Sequence, residues 1–277
     1  MNTWSAIDAS GRKLRIAFVG WGAIARRAGG LLAARSDRVS IVGVGTRHPP
    51  QDDQSFPKDA RWLAKPEDLV DLAPDLVVEA AGRAAVEPWG LVGLRCSPAF
   101  VVSSTSAFTE DDVLQRLIDE ANRNGSQILI PPGALGGLDA LGAAGRLALR
   151  SVVHRIIKPP RAWMGTPAEG LVDLKALDQA KTFFRGSARE AAQLFPANAN
   201  VAVISALAGV GFDRTVVELI ADPGTELNCH HLLAEGDFGS LNMRVENRPL
   251  ADNPKSSELT ALSLVRLIEG RILPLSL

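Results

Sequence analysis

Arg15-Ile16-Ala17-Phe18-Val19-Gly20-Trp21-Gly22-Ala23-Ile24-Ala25 is the stretch whose reading decides the fold. Ile16 to Val19 is an unbroken apolar run, the pattern of a strand buried on both faces. A Gly-x-Gly-x-x-Ala turn follows at once, and an Ala/Leu-rich helix continues to about Arg35. After the turn Ser36-Asp37-Arg38, Val39 to Val44 reads as a second strand. Strand, glycine turn, helix and strand within about 30 residues form the dinucleotide-binding pattern. Gly20 allows the tight turn, Gly22 lets the backbone approach a pyrophosphate, and Ala25 lets the helix lie close on the strand. Gly20, Gly22, Ala23 and Ile24 are therefore candidate phosphate contacts, at a helix start whose unpaired N–H groups and dipole favour an anion. The bland alternative is a tight turn with no ligand, and the alternation further along the chain weighs against it.

The end of the second strand bears on which dinucleotide. Gly45-Thr46-Arg47-His48 has no carboxylate before Asp52 to bond a ribose 2′-hydroxyl. Thr46 can bond a phosphate, and Arg47 can pair with one or stack on adenine. The expected cofactor is thus NADP or NAD, with NADP or dual use favoured.

Leu76 to Gly82 is a further apolar strand ending in small residues, and Phe100 to Ser104 is another. Asp111 to Arg123 has the spacing of an amphipathic helix, Asn124-Gly125 closes it, and Gln127 to Ile130 is one more strand. Buried runs alternating with helices predict a doubly wound parallel sheet, with Ala80–Arg83 and Ser103–Ser106 lining its ligand crevice. After Pro131-Pro132 the character changes. Ser151–Ile157, Thr215–Ile220, Glu226–Leu233 and Ser240–Glu246 are strand-like, and the last alternates apolar with polar residues. That pattern predicts a mainly antiparallel sheet with one wet or lined face. Residues 253–269 read as a helix capped by Asn253, with Pro254 at its first position and Gly270 as terminator. The expected fold class is α/β, a Rossmann-type doubly wound sheet plus a second α+β domain. The expected division is 14–130 with 253–277 for the dinucleotide, and 131–252 for substrate, catalysis and oligomerisation, with a homodimer through the second sheet.

The composition narrows the function. In 277 residues the chain is 46% hydrophobic and 22% charged, with mean hydropathy +0.08, net charge −1 and pI about 6.4. It carries no electrostatic footprint for nucleic acid or an anionic membrane. Its longest apolar candidate, Val201 to Phe212, falls short of the roughly 18 residues of a membrane span. Arg12, Lys13 and Arg15 before an apolar stretch imitate a secretory signal, but the glycines there belong to the turn. Residues 1–13 read as a disordered leader and the protein as cytoplasmic. Two cysteines cannot build a disulfide scaffold, and the absence of Tyr removes any phenol from acid/base duty.

Only four histidines remain for proton chemistry: His48, His154, His230 and His231. His48 lies beside Pro49-Pro50 on a loop, and His154 sits among Val152, Val153 and Ile156, the setting of a satisfied structural histidine. His230 and His231 are adjacent, so on a strand they face opposite sides. His231 shares its face with Leu227, Cys229 and Leu233, which suggests packing. His230 shares its face with Asn228, a polar pair able to project into a cleft. Cys229, His230 and His231 diverge, so no metal site is expected. His230 is the leading acid/base candidate, with a hydrogen-bonded structural histidine as the alternative.

Several segments in the second half carry a resemblance. They are Pro132-Gly133-Ala134-Leu135-Gly136-Gly137-Leu138-Asp139-Ala140, Lys158-Pro159-Pro160, Phe195-Pro196-Ala197-Asn198-Ala199-Asn200-Val201-Ala202, Asn228-Cys229-His230 and Asn253-Pro254-Lys255-Ser256-Ser257. In order and spacing the chain resembles the L-aspartate dehydrogenase family from about Arg15 to Gly270. The resemblance implies a catalytic His230, nicotinamide-side contacts at Ala134 and Asn200, and NAD or NADP as cofactor. It implies NAD(P)-dependent oxidative deamination of L-aspartate to iminosuccinate, then oxaloacetate and ammonia, or the reverse reductive amination. A dianionic substrate needs cations, for which Lys158 and Lys255 are candidates, with Asn228 as an orienting group. Other readings are an NADP(H)-dependent reductase of another imine or oxo acid, and a non-catalytic NADP(H) sensor.

Overall fold

The computed structural model describes residues 12–50, 54–110, 112–196 and 200–275. Most of the expected leader, Asp52, and Asp111 at the expected start of an amphipathic helix all lie outside the described residues. The chain divides into two units, one of 1–107, 112–131 and 261–277, the other of 108–111 and 132–260.

In the first unit, β1 (Leu14–Val19), β2 (Val39–Gly45), β3 (Arg61–Leu63), β4 (Leu76–Glu79), β5 (Ala99–Val102) and β6 (Gln127–Leu129) form one sheet. Its order is β3-β2-β1-β4-β5-β6 and every pairing is parallel. This is the doubly wound order, whose switch point lies between β1 and β4. The apolar runs are legible because both faces are covered: β4 and β5 are buried throughout. Helix α1 (Ala23–Arg35) buries Ala25, Ala28, Gly29 and Leu32, an i, i+3, i+4, i+7 stripe that lies on the sheet. Helices α2 (Asp68–Leu72), α3 (Arg83–Cys96) and α4 (Val113–Asn124) complete the alternation. Asn124-Gly125 closes α4 as expected, with Gly125 at φ 63°.

In the second unit, α5 (Leu138–Ala144) precedes β7 (Leu149–Lys158) and β8 (Lys181–Ser187). Then come α6 (Ala188–Leu194), α7 (Asn200–Ala208), β9 (Val216–Ala221), β10 (Asn228–Gly236) and β11 (Gly239–Asn247). The sheet runs β11-β10-β7-β9-β8, antiparallel except for the β7–β9 pair. One face is covered: Val152, His154, Ile156 and Lys158 of β7 and Asn228, His230, Leu232 and Ala234 of β10 are buried. The other face is half-exposed through Val153, Arg155 and Ile157 and through His231 and Leu233.

Two sequence expectations are corrected. Asn253 and Pro254 do not begin a helix. Residues Asn253–Ser257 are a short strand, β13, paired with β12 (Pro249–Leu250), and the helix, α8, starts at Glu258 and runs to Glu269. The Asn253 side chain bonds within its own strand, accepting from the Lys255 N–H at 3.2 Å and donating to Ser256 Oγ at 3.1 Å. The His231 face is the open one, and the His230 face is the packed one. Strand parity holds, but the helices cover the opposite side from the one expected.

Candidate active site

Each unit presents its own cluster of functional side chains. In the first, a cleft of about 640 Å³ is lined by Gly20, Gly22, Gly45, Thr46, Arg47, Gly82, Arg83 and Trp89 among others. Gly20 has φ +90°, and a Cβ there would stand 2.5 Å from Ala81 Cα. Only glycine lets the β1 and β4 ends approach so closely. Gly22 caps α1 with no side-chain hydrogen bond, and a Cβ on it would meet nothing within 4 Å. The start of α1 thus opens onto empty space without a capping side chain in the way, which is what a phosphate requires.

Glu79, which no sequence motif singled out, organises the other wall. Its fully buried carboxylate accepts from the Ala81 N–H (2.8 Å), the Gly82 N–H (2.9 Å), the Ser104 N–H (3.0 Å) and Ser104 Oγ (2.8 Å). Burial pushes its pKa up, and these four donors pull against that rise. An acid at the end of the otherwise apolar run Leu76-Val77-Val78 was the available signal. Thr46 differs from expectation: its hydroxyl donates to the His48 carbonyl at 2.7 Å and accepts from Trp62 Nε1 at 3.1 Å. Its proton is therefore committed within the loop, whereas Arg47 is exposed at the cleft.

In the second unit, β7 and β10 place the chemistry. Register pairs His230 with Ile156 and Leu232 with His154, so the two buried imidazoles are diagonal neighbours on one face. His230 is 3% exposed and His154 fully buried, and His154 Nε2 lies 3.1 Å from His230 Nδ1. His154 Nδ1 lies 3.1 Å from Ser205 Oγ on α7. Burial, then His154 and the nearby Lys158 ammonium, hold the His230 pKa well below its ordinary value. His230 is therefore a neutral imidazole at pH 7. His231 instead faces the other way, its Nε2 2.8 Å from Asn242 Oδ1.

Lys158 is buried, donates to the Lys255 carbonyl at 3.2 Å and stands over the Trp163 ring at 5.5 Å. Trp163 is itself fixed by Phe183, whose ring is 4.9 Å away, and by a hydrogen bond to the Ile220 carbonyl at 3.0 Å. Burial, helped by Lys255, pushes the Lys158 pKa down to about 8. Asn228 is buried on the same face and donates to Ser257 Oγ at 3.3 Å. The loop before α5 packs against this face: Ala134 is buried and its carbonyl accepts from Asn247 Nδ2 at 3.1 Å. Asn200 is the first residue of α7, the helix that carries Ser205. The second unit thus brings together His230, Lys158 and Asn228, with Lys255 exposed on β13. His154 and Ser205 are the partners that sequence reading missed. Among the described residues no group of three or more His, Cys, Asp or Glu side chains could hold a metal ion.

A neutral buried imidazole next to a buried lysine is suited to proton transfer on an anionic substrate. The L-aspartate dehydrogenase of Brucella anthropi is 53% identical over 257 residues, covering 93% of this chain and 96% of the relative. The chain belongs to the L-aspartate dehydrogenase family. The enzyme of the same name from Polaromonas sp. is 44% identical, covering 93% of this chain and 97% of the relative. The crystal structure of aspartate dehydrogenase from Thermotoga maritima superposes with a TM-score of 0.76 at 26% identity, covering 96% of this chain and all of that one. Residues 139–271 match the family model "Aspartate dehydrogenase, C-terminal", and residues 20–131 match "Homoserine dehydrogenase, NAD binding domain". As a member of the L-aspartate dehydrogenase family the protein is an NAD(P)-dependent amino-acid dehydrogenase. The cleft of the first unit fits that cofactor, since the uncapped start of α1 and the open side of Gly22 leave room for its phosphates.

Proposed function

We propose that this protein oxidises L-aspartate to iminosuccinate, which water converts to oxaloacetate and ammonia, or runs the reverse reductive amination. The observation that carries this reading is the buried, neutral His230 beside the buried Lys158 in a chain of this family. The cofactor, when bound, supplies the hydride acceptor or donor. His230 takes a proton from the substrate amine or from the attacking water, and Asn228 orients that group. Lys158 and Lys255 bind the two carboxylates, and Ala134 and Asn200 bound the nicotinamide side. Gly20, Gly22, Ala23 and Ile24 hold the phosphates. Arg47 favours a 2′-phosphate and hence NADP.

The first unit serves the dinucleotide; the second serves substrate and catalysis. Half-exposed Val153, Ile157 and Leu233 on the second sheet's open face support a homodimer through that face. Free Cys96 and Cys229 are in keeping with a cytoplasmic location. No helix of the described residues is long and apolar enough to cross a membrane.

The test is an initial-rate screen of L-aspartate against other amino acids with NAD⁺ and NADP⁺. Turnover with L-aspartate is expected, and His230→Ala should abolish it while cofactor binding persists. Absence of turnover with either cofactor at alkaline pH would overturn the assignment, and binding without turnover would favour a sensor.

A further inference from the structure

We propose that His154, held by Ser205, is a positioning residue that keeps His230 in the Nδ1–H tautomer and leaves its Nε2 lone pair as the proton acceptor. The proposal rests on the reading of His230 as the acid/base group.

The direction of the hydrogen-bond chain follows from counting protons. The Ser205 hydroxyl has one, and its nearer acceptor is the Ala202 carbonyl three residues back on α7, at 2.9 Å. With its proton there, Ser205 Oγ can only accept at its 3.1 Å contact with His154 Nδ1, so that nitrogen carries a hydrogen. A neutral imidazole has one N–H. Burial, with His231 adding to it, holds the His154 pKa down to about 3, so the ring stays neutral. His154 Nε2 is then a lone pair, and it faces His230 Nδ1 at 3.1 Å. Two lone pairs cannot bond, so His230 Nδ1 donates. His230 is also neutral, and its second nitrogen is left unprotonated. The chain therefore runs from a main-chain carbonyl through Ser205 and His154 to a base.

This polarity matters chemically. A base needs its lone pair on the nitrogen that meets the substrate. When Nε2 takes a proton from the amine or water, the bond from Nδ1–H to His154 becomes charge-assisted and strengthens. The opposite polarity, with Ser205 donating to His154, would put the hydrogen on His230 Nε2 and disable it as a base. His154 is fully buried and does this without touching substrate.

The experiment is a long-range ¹H–¹⁵N correlation spectrum of the full-length protein labelled at histidine nitrogen, assigned with His230→Gln. A pyridine-type Nε2 and a pyrrole-type Nδ1 are expected for His230; a pyrrole-type Nε2 overturns the proposal. In kinetics, His154→Leu should lower kcat about 10²-fold, the size of a general-base contribution. KM for the amino acid and cofactor affinity should stay within about twofold, the split that marks a loss confined to the chemical step. His154→Gln, whose side-chain oxygen can accept from His230 Nδ1, should restore most of the rate. A kcat within about twofold of the parent in His154→Leu overturns the proposal. If His154→Leu does not fold, the parent spectrum and the Gln variant decide. Retained turnover in His230→Gln sinks the acid/base reading instead, whatever the tautomer proves to be.

Discussion

His154 and His230 are two buried imidazoles with ring centres 5.3 Å apart and planes tilted by 54°, one fully buried and the other 3% exposed. Both have pKa values below the ordinary histidine value, His154 at about 3. Unfolding returns them to about 6.5. Below that pH the unfolded chain binds protons that the folded one refuses, so stability is full above about 6.5 and falls as pH drops. Each such proton is worth at most about 1.4 kcal/mol per pH unit. Urea unfolding between pH 7 and about 4.5 should show this slope, and His154→Gln should flatten it. An unchanged slope in that variant would sink the explanation.

Lys158 gives a second pH dependence, of opposite direction. Its ammonium loses its proton as pH rises through about 8. A competitive dicarboxylate lacking an amine, such as succinate, should therefore bind progressively less well, by about tenfold per pH unit above that point. Lys158→Met should bind it weakly at every pH. Inhibition constants measured from pH 6.5 to about 9.5 check this, and a flat profile for the parent would remove Lys158 from the substrate site.

Gly20 and Gly22 separate folding from binding. Gly20→Ala places a Cβ 2.5 Å from the Ala81 backbone at φ +90°, and should cost about 1–3 kcal/mol of stability. Gly22→Ala meets no protein atom within 4 Å and has φ −83°, so Tm should barely change. Its methyl would project toward the phosphates, and the cofactor Kd should rise by about tenfold or more. Calorimetry and fluorescence titration distinguish the two; a lowered Tm with unchanged Kd in Gly22→Ala would refute the cradle.

Arg47 should discriminate between cofactors. It is exposed just after β2, and the described residues lining the cleft beside it include no carboxylate. Arg47→Ala should weaken NADPH about tenfold, one charge-assisted contact, and leave NADH nearly unchanged. Equal losses for both would show that Arg47 acts on the adenine rather than the 2′-phosphate.

The first unit was largely legible because its central strands β4 and β5 are buried on both faces and the turn after β1 requires Gly20. Leu76-Val77-Val78 and Ala99 to Val102 can only be buried, so the local pattern and the tertiary answer coincide. β8 escaped notice because Lys181-Thr182-Phe183-Phe184-Arg185 is an edge strand with no clean alternation, held by antiparallel pairing to β9. Asn253-Pro254 satisfies every local rule for a helix start, yet pairing with Pro249 and Leu250 makes it a strand. Hairpin pairing with residues only a few positions earlier outweighed the capping preference of Asn253.

The four histidines divide the same way. Sequence alone determined that His230 and His231 point apart and that His230 shares a face with Asn228, because side-chain alternation along a strand is local geometry. It could not say which face α7 covers, nor that a histidine 76 residues earlier bonds to His230. Those facts depend on the register of β7 against β10 and on helix packing, which join residues far apart in the chain. Only the tertiary structure decided that His154 is a partner of the acid/base candidate rather than a bystander in a strand.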